Sequence, residues 1–248
     1  MYKNETPQIV QGKLNNGHDI KFYGFGKKTI YRYKTLYLKE PDTIRWLDEI
    51  PDGSHLWDIG ANIGLYTIYA AIARGKSVTA FEPGAANYFV LNRNIELNNL
   101  SEFVQAQCIA FSDKTEIGSF NMGTTIPGGA QSTFNDDKGD TGEIIEINFR
   151  QGMVGFSIDD YIDLFKPKFP THIKMDVDGL EHKIVAGMSK TLLDNRLIAL
   201  SVELDSDRHE YVRGICEQIE RVGFKLIGAY RSPHIAAKSP IKNYHFHR

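Results

Sequence analysis

Four residues able to meet a ligand fall within one seven-residue stretch, DIGANIG: Asp58, Gly60, Asn62 and Gly64. The glycines leave backbone open to a ligand, and the first N–H groups of a following helix have no partner inside that helix. The spacing differs from the dinucleotide fingerprint G-x-G-x-x-G, whose turn seats a pyrophosphate. A strand-end acid suits a ligand carrying an ammonium group and hydroxyls. The plainer alternative is a tight turn with Asn62 capping the helix.

Glu82, in AFEPG, ends the next apolar run 24 residues beyond Asp58. A carboxylate there can accept hydrogen bonds from both hydroxyls of a ribose. Taken alone it could be a surface residue before a Pro-Gly turn. Together with DIGANIG it points to an adenosine-containing ligand.

A third group lies in IKMDVDGLEHKIVAG, where Asp176 and Asp178 end an apolar run and Glu181 opens a helix. Two carboxylates one residue apart on extended chain point the same way, and can share a proton, bind a cation or deprotonate a hydroxyl. Alternatively Asp178-Gly179 forms the turn and Glu181 favours the helix dipole. His182 follows closely enough to assist a base. His245 and His247 alternate on the last run, as a metal pair or as strand packing. DSDRHE, residues 205–210, reads as a helix cap. Tyr31, Tyr33 and Tyr37 either stack on a sugar or cover a sheet edge.

These residues need elements that bring strand ends together. HLWDI, SVTAF and FVQAQCIAF read as strands, with helices over Leu65–Ala73 and Ala85–Asn98 between them. Strands alternating with helices imply βαβ units and a parallel sheet, which binds ligands outside its carboxyl ends. The alternation pauses over residues 114–156, where IGSFNM and EIIEINF read as two strands around a long polar loop. It resumes with strand HIKMDV, a helix over Leu180–Asn195, strand LIALSVEL and a helix over Asp207–Val222. FKLIGAY and NYHFHR, joined only by a loop, should pair antiparallel. Upstream, the aromatic run IKFYGFGKKTIYRYKTLYL reads as a β-hairpin turning at Gly26-Lys27-Lys28, followed by an amphipathic helix in EPDTIRWLDEI. No linker or repeat is visible, so residues 1–54 read as an extension packed on a core of residues 55–248, one domain overall.

The 248 residues carry a formal charge of −2, giving no field towards nucleic acid or an anionic membrane. The N-terminal run lacks the apolar stretch of a signal peptide, no run is long enough to cross a bilayer, and Cys108 and Cys216 read as buried thiols. The expected setting is cytoplasmic.

The chain resembles class I S-adenosylmethionine-dependent methyltransferases, and specifically the FkbM family. WDIGANIG, AFEPGAANYFVLNRNIELN, IAFSD, SIDDYI, IKMDVDGLEHKIVAG and LSVEL occur in family order from about residue 35 to 205. One departure is Asp178, where the family usually has Glu. The resemblance implies a Rossmann-like α/β fold: a mostly parallel seven-stranded sheet with an antiparallel C-terminal strand pair and an inserted β-hairpin. It implies that Asp58, Gly60, Asn62 and Gly64 hold the methionine part of S-adenosylmethionine, that Glu82 holds the ribose, and that Ala110 and Asp113 lie near the adenine. Family members typically methylate hydroxyls, often on sugars, so a small-molecule or glycan acceptor is expected. Such chemistry needs alignment and proton removal. Asp176 is the candidate base, with Asp178 beside it, acting directly or through a divalent cation shared with Glu203. Methylation of nitrogen and a non-catalytic cofactor-binding module are the competing functions.

Overall fold

The computed structural model describes residues 7–139, 141–231 and 239–248. The first described element is a hairpin of β1 (Gln8–Lys13) and β2 (Asp19–Gly24), turning at Gly17 with φ 87°. The hairpin expected at Gly26 is thus displaced upstream, and the aromatic run beyond Gly26 is helical: α1 (Lys27–Lys34) and α2 (Leu36–Lys39), then α3 (Pro41–Glu49). In IYRYKTLYL the aromatics alternate like a strand, but Ile30, Tyr33 and Tyr37 also recur at helical spacing. Packing of Tyr33 on Phe22, at 5.7 Å between rings, favours the helix. Pro41 opens α3 at a position where its missing N–H costs nothing.

The α/β alternation follows the expected order: β3 (His55–Ile59), α4 (Leu65–Arg74), β4 (Ser77–Phe81), α5 (Ala85–Leu97) and β5 (Val104–Gln107). FVQAQCIAF is not one strand. It leaves the main sheet after Gln107, and β6 (Ala110–Phe111) joins a second sheet with β7 (Glu116–Met122), β8 (Ser132–Phe134) and β9 (Phe149–Phe156), in the order β6-β9-β7-β8. EIIEINF is not the second strand of this excursion. Pairing with β7 begins at Phe149 opposite Met122, where β7 runs out of partners, and Ile144 before it is exposed.

After α6 (Ile158–Phe165) come β10 (His172–Met175), α7 (Glu181–Ala186), α8 (Ser189–Leu193), β11 (Ala199–Asp205), α9 (His209–Glu220), β12 (Lys225–Arg231) and β13 (Ile241–His247). The helix expected over Leu180–Asn195 is two helices. Gly187 lies between them, where a Cβ would stand 2.3 Å from the Ser112 carbonyl oxygen. The main sheet has seven strands in the order β12-β13-β11-β10-β3-β4-β5, parallel except where β13 runs antiparallel to β11 and β12. The loop expected between β12 and β13 falls largely on residues outside the described ones, as do residues 1–6 of the N-terminal extension.

Alternation along the strands sorts two faces. Trp57, Ile59, Ile173, Met175, Leu200 and Val202 enter one apolar core with α6 to α9. Leu56 and Ala199 face the other, which Phe22, Leu36, Ile44 and Leu47 of the N-terminal elements cover together with α4 and α5. Each such large side chain contributes roughly 1.5–3 kcal/mol when fully buried. The second face also carries His172, Lys174, Asp58 and Glu203, so polar groups lie beneath α2 and α3. Among the described residues no helix is long and apolar enough to cross a membrane.

Candidate functional site

The carboxyl ends of β3, β4, β10 and β11 open into a cavity of about 760 Å³, closed on its other sides by α1, the second sheet and the loop after β7. Gly60, Asn62, Glu82, Ala110, Asp176 and Asp178 line it, as does Glu203. Asp58 and Gly64 do not.

The two glycines of DIGANIG serve the chain's own packing. Gly60 has φ 83°, and a Cβ there would stand 1.8 Å from the Asp176 carbonyl oxygen. Gly64, with φ 86°, is the N-cap of α4, and its Cβ would meet Leu91 Cδ1 at 2.5 Å. Gly60 admits the neighbouring strand end and also borders the cavity, whereas Gly64, expected beside the ligand as well, admits α5 and does not line the cavity. Asn62 adopts φ 52° and does not cap the helix. Its N–H donates to Glu82 Oε2 at 2.8 Å and its Nδ2 to the Gly129 carbonyl at 2.7 Å.

Asp58 lies behind the cavity wall, 1 % exposed, accepting from Thr67 Oγ1 at 2.6 Å. Burial raises its pKa, against the opposing pull of Lys174 and the Thr67 hydrogen bond. Glu82 faces the cavity although it is largely buried, and also accepts from the Gly84 N–H at 2.8 Å. Burial pushes its carboxyl up to about 7, despite the hydrogen bonds from Gly84 and Asn62.

At the other end, Lys174 Nζ sits 3.3 Å from Asp176 Oδ2, and Lys39 Nζ sits 2.6 Å from Glu40 Oε1. The Lys174 ammonium also stands 5.1 Å from the centre of the Tyr66 ring. Burial opposes ionisation of Asp176, but Lys174 and Lys39 overcome it and hold its carboxyl well below the usual carboxylate range. Burial lifts the pKa of Glu203, and the negative charges of Asp176 and Glu40 lift it further. The two carboxyls are thus pushed in opposite directions, Asp176 towards its charged form and Glu203 towards its neutral one. The Asp176 side chain is 23 % exposed, so its carboxylate is open to the cavity.

Asp178 does not share this environment. It takes φ 57° in the turn after β10, and its Oδ2 accepts from the N–H groups of Gln131 and Ser132 at 2.6 and 3.1 Å. The two aspartates were expected to point the same way; the turn at Asp178 breaks the extended geometry that expectation needed. Glu181 is buried, accepting from the Tyr211 hydroxyl at 2.5 Å and from the Val177 and Gly179 N–H groups. His182 packs edge-on against Tyr211, away from the cavity. His245 is buried between Trp46 and Tyr230, while His247 is exposed. Asp113 is exposed, accepting from its neighbour Ser112. Of the three tyrosines only Tyr31 lines the cavity; Tyr37 accepts from the Asn15 N–H and meets Tyr69 edge-on. Cys108 and Cys216 are unpaired and half-buried rather than fully buried. Among the described residues no group of three His, Cys, Asp or Glu side chains is arranged to hold a metal ion.

The loop from Thr124 to Gln131 lies across the cavity, tied down by the chain itself. The Gly128 N–H donates to Asn87 Oδ1 at 2.8 Å, and Arg32 Nε donates to the Gly128 carbonyl at 2.9 Å. Sequence spacing does not point to Arg32, Lys39, Asn87 or Lys174. One signal was present: a lysine inside the otherwise apolar strand HIKM, two residues before Asp176, demands a buried counter-charge.

The Methyltransferase FkbM domain family matches this sequence over residues 58–226. "Methyltransferase 1" of Beauveria bassiana (strain ARSEF 2860) is 26 % identical over 165 residues, covering 60 % of this chain and 66 % of its own. "Methyltransferase sdnD" of Sordaria araneosa is 29 % identical over 106 residues, covering 42 % of this chain and 38 % of its own. A methyltransferase FkbM of known structure, from Methylobacillus flagellatus KT, superimposes with a TM-score of 0.53 at 16 % identity, over 81 % of this chain and 44 % of that one. That likeness is one of fold. The chain spans less than two thirds of the length of each of these relatives.

Proposed function

The chain belongs to the FkbM methyltransferase family, and on that premise we propose that it transfers a methyl group from S-adenosylmethionine to a hydroxyl of a sugar or glycosylated small molecule. The observation that carries this is a single cavity with two differently poised carboxylates, Glu82 at one end and Asp176 at the other. Its size suits a nucleoside-sized ligand together with part of an acceptor.

The residues fit that donor. The Glu82 carboxylate would accept from the ribose hydroxyls, and the backbone from Gly60 to Asn62 would border the methionine part. Ala110, between Ile109 and Phe111, would flank the adenine with apolar surface. Asp58 and Gly64 act from behind, by holding the turn. When bound, S-adenosylmethionine supplies a methyl group activated by a sulfonium. The chain must then orient the acceptor oxygen and receive its proton. Asp176 is ionised and open to the cavity, so the proton passes from the acceptor hydroxyl to its carboxylate. Lys174 keeps that carboxylate charged, while burial and the negative charge of Asp176 push neighbouring Glu203 towards its neutral form. Asp178 anchors the covering loop instead.

The test is calorimetric titration with S-adenosylhomocysteine and with NAD, followed by mass spectrometry of candidate sugars incubated with S-adenosylmethionine, with and without a chelator. Binding of S-adenosylhomocysteine and a gain of one methyl mass on a hydroxyl are expected. Tighter binding of NAD would overturn the assignment of the donor, and loss of transfer on chelation would move the proton-removing step to a bound cation.

A further inference from the structure

One wall of the cavity is charged in a way that proton removal and donor binding leave unexplained. Lys27, Lys28, Tyr31 and Arg32 of α1 line it beside Lys39. Lys39 is paired with Glu40, and Lys174 with Asp176. Among the described residues Lys27 and Lys28 have no ion pair and no hydrogen bond, and both are exposed. The Arg32 guanidinium is planted by its Nε on the Gly128 carbonyl, leaving its two terminal amino groups free of hydrogen bonds among those residues.

The helix itself does not benefit from this pattern. Lys28 and Arg32 are four residues apart on one face, where like charges repel. Lys27 and Lys28 occupy the first turn, where the helix dipole disfavours cations, and no acid stands there. The whole chain is slightly acidic, at −2, so these cations are a local feature. Three like charges, against local helix preference and turned to one cavity, have a physical rationale if an anion sits between them. Arg32 lines the same cavity as Glu82 and Asp176, and its charge favours the ionised form of both.

We propose that Lys27, Lys28 and Arg32 form an anion site, and that the methyl acceptor carries a carboxylate or phosphate which this site holds while a hydroxyl of the same molecule reaches Asp176. The proposal rests on the methyltransferase function above and names its substrate class: a sugar acid, a sugar phosphate or another hydroxylated anion. Arg32 supplies a planar fork suited to two oxygens, and the lysines supply charge without fixed geometry.

The donor's own carboxylate is also an anion, so the test must separate the two sources. Wild-type enzyme is first titrated with S-adenosylhomocysteine, which tests the methyltransferase function by itself. Enzyme saturated with it is then titrated with inorganic phosphate, glucose 6-phosphate, glucuronate and glucose. At least one anion is expected to bind ten-fold or more tightly than glucose, and to weaken as salt is raised. Lys27→Ala/Lys28→Ala should lose ten-fold or more of that anion binding, with S-adenosylhomocysteine affinity held within two-fold. Both lysines are exposed, so the double variant should melt within a few degrees of wild type. A fall in S-adenosylhomocysteine affinity in the double variant would assign the cations to the donor carboxylate and overturn the proposal. Binding of none of the anions, or glucose binding as well as they do, would overturn it too.

Discussion

The Lys174 ammonium, 1 % exposed, lies 3.3 Å from Asp176 Oδ2 and 3.9 Å from Asp58 Oδ1. It joins the acid behind the DIGANIG turn to the acid facing the cavity. One buried cation thus serves two neighbouring strand ends, β3 and β10.

Lys174→Met removes the main counter-charge of Asp176. Burial then dominates and the Asp176 pKa rises. The acid limb of kcat/KM should move to higher pH, and about 3–5 kcal/mol of stability should be lost because two acids are left unpaired. A pH–rate profile checks the first effect and denaturant unfolding the second. An unmoved acid limb would remove Lys174 from the control of Asp176.

Asp176→Asn and Asp178→Ala separate the two aspartates. The first should lower turnover by roughly 10²–10⁴ while S-adenosylhomocysteine affinity changes only a few-fold. The second removes the acceptor for the Gln131 and Ser132 N–H groups, so the loop before them should become more sensitive to protease. Turnover of Asp178→Ala should fall by less than about ten-fold. Equal losses of turnover in the two variants would refute the division of roles.

Glu82 sets a pH dependence of its own. Its folded pKa, about 7, stands above its ordinary value of 4.5. Its contribution to stability is therefore full below about pH 4.5 and is lost as the pH rises through about 7. The change is roughly 3 kcal/mol. The ligand-free protein should melt several degrees lower at pH 8 than at pH 5, and Glu82→Gln should flatten that trend. Hydrogen-bond acceptance from a ribose favours the ionised form, so S-adenosylhomocysteine should bind more tightly across the same window. An S-adenosylhomocysteine affinity in Glu82→Gln that matches wild type at pH 8 would argue against the ribose contact.

Gly60→Ala should destabilise more than Gly64→Ala. The first would place a Cβ against the Asp176 backbone carbonyl, which cannot retreat without disturbing β10. The second meets the end of the flexible Leu91 side chain. Losses of above about 3 kcal/mol and of about 1–2 kcal/mol are expected, each including left-handed backbone strain. Chemical denaturation of the two variants gives the comparison.

Local pattern was enough for much of this molecule. Apolar runs of strand length alternating with helical periodicity require a parallel sheet, and the acids and glycines fall at its carboxyl ends for that reason. Hence HLWDI and SVTAF were legible as strands, HIKMDV as one that in fact ends at Met175, and Glu82 and Asp176 as residues facing one cavity. Where one sequence satisfies two periods, local pattern fails: IYRYKTLYL fits strand and helix alike, and only packing on Phe22 decides. That Gly60 and Gly64 make room for the chain's own packing is also invisible along the chain, because the Asp176 carbonyl and the Leu91 side chain approach them from far away in sequence. The divergence of Asp176 from Asp178 arises at a single left-handed residue. The rest of the site's electrostatics belongs to the tertiary structure: Lys174 neighbours Asp176 along the chain, but Lys39 and Glu203 come from separate elements and act on Asp176 only once the sheet and its N-terminal cover have assembled.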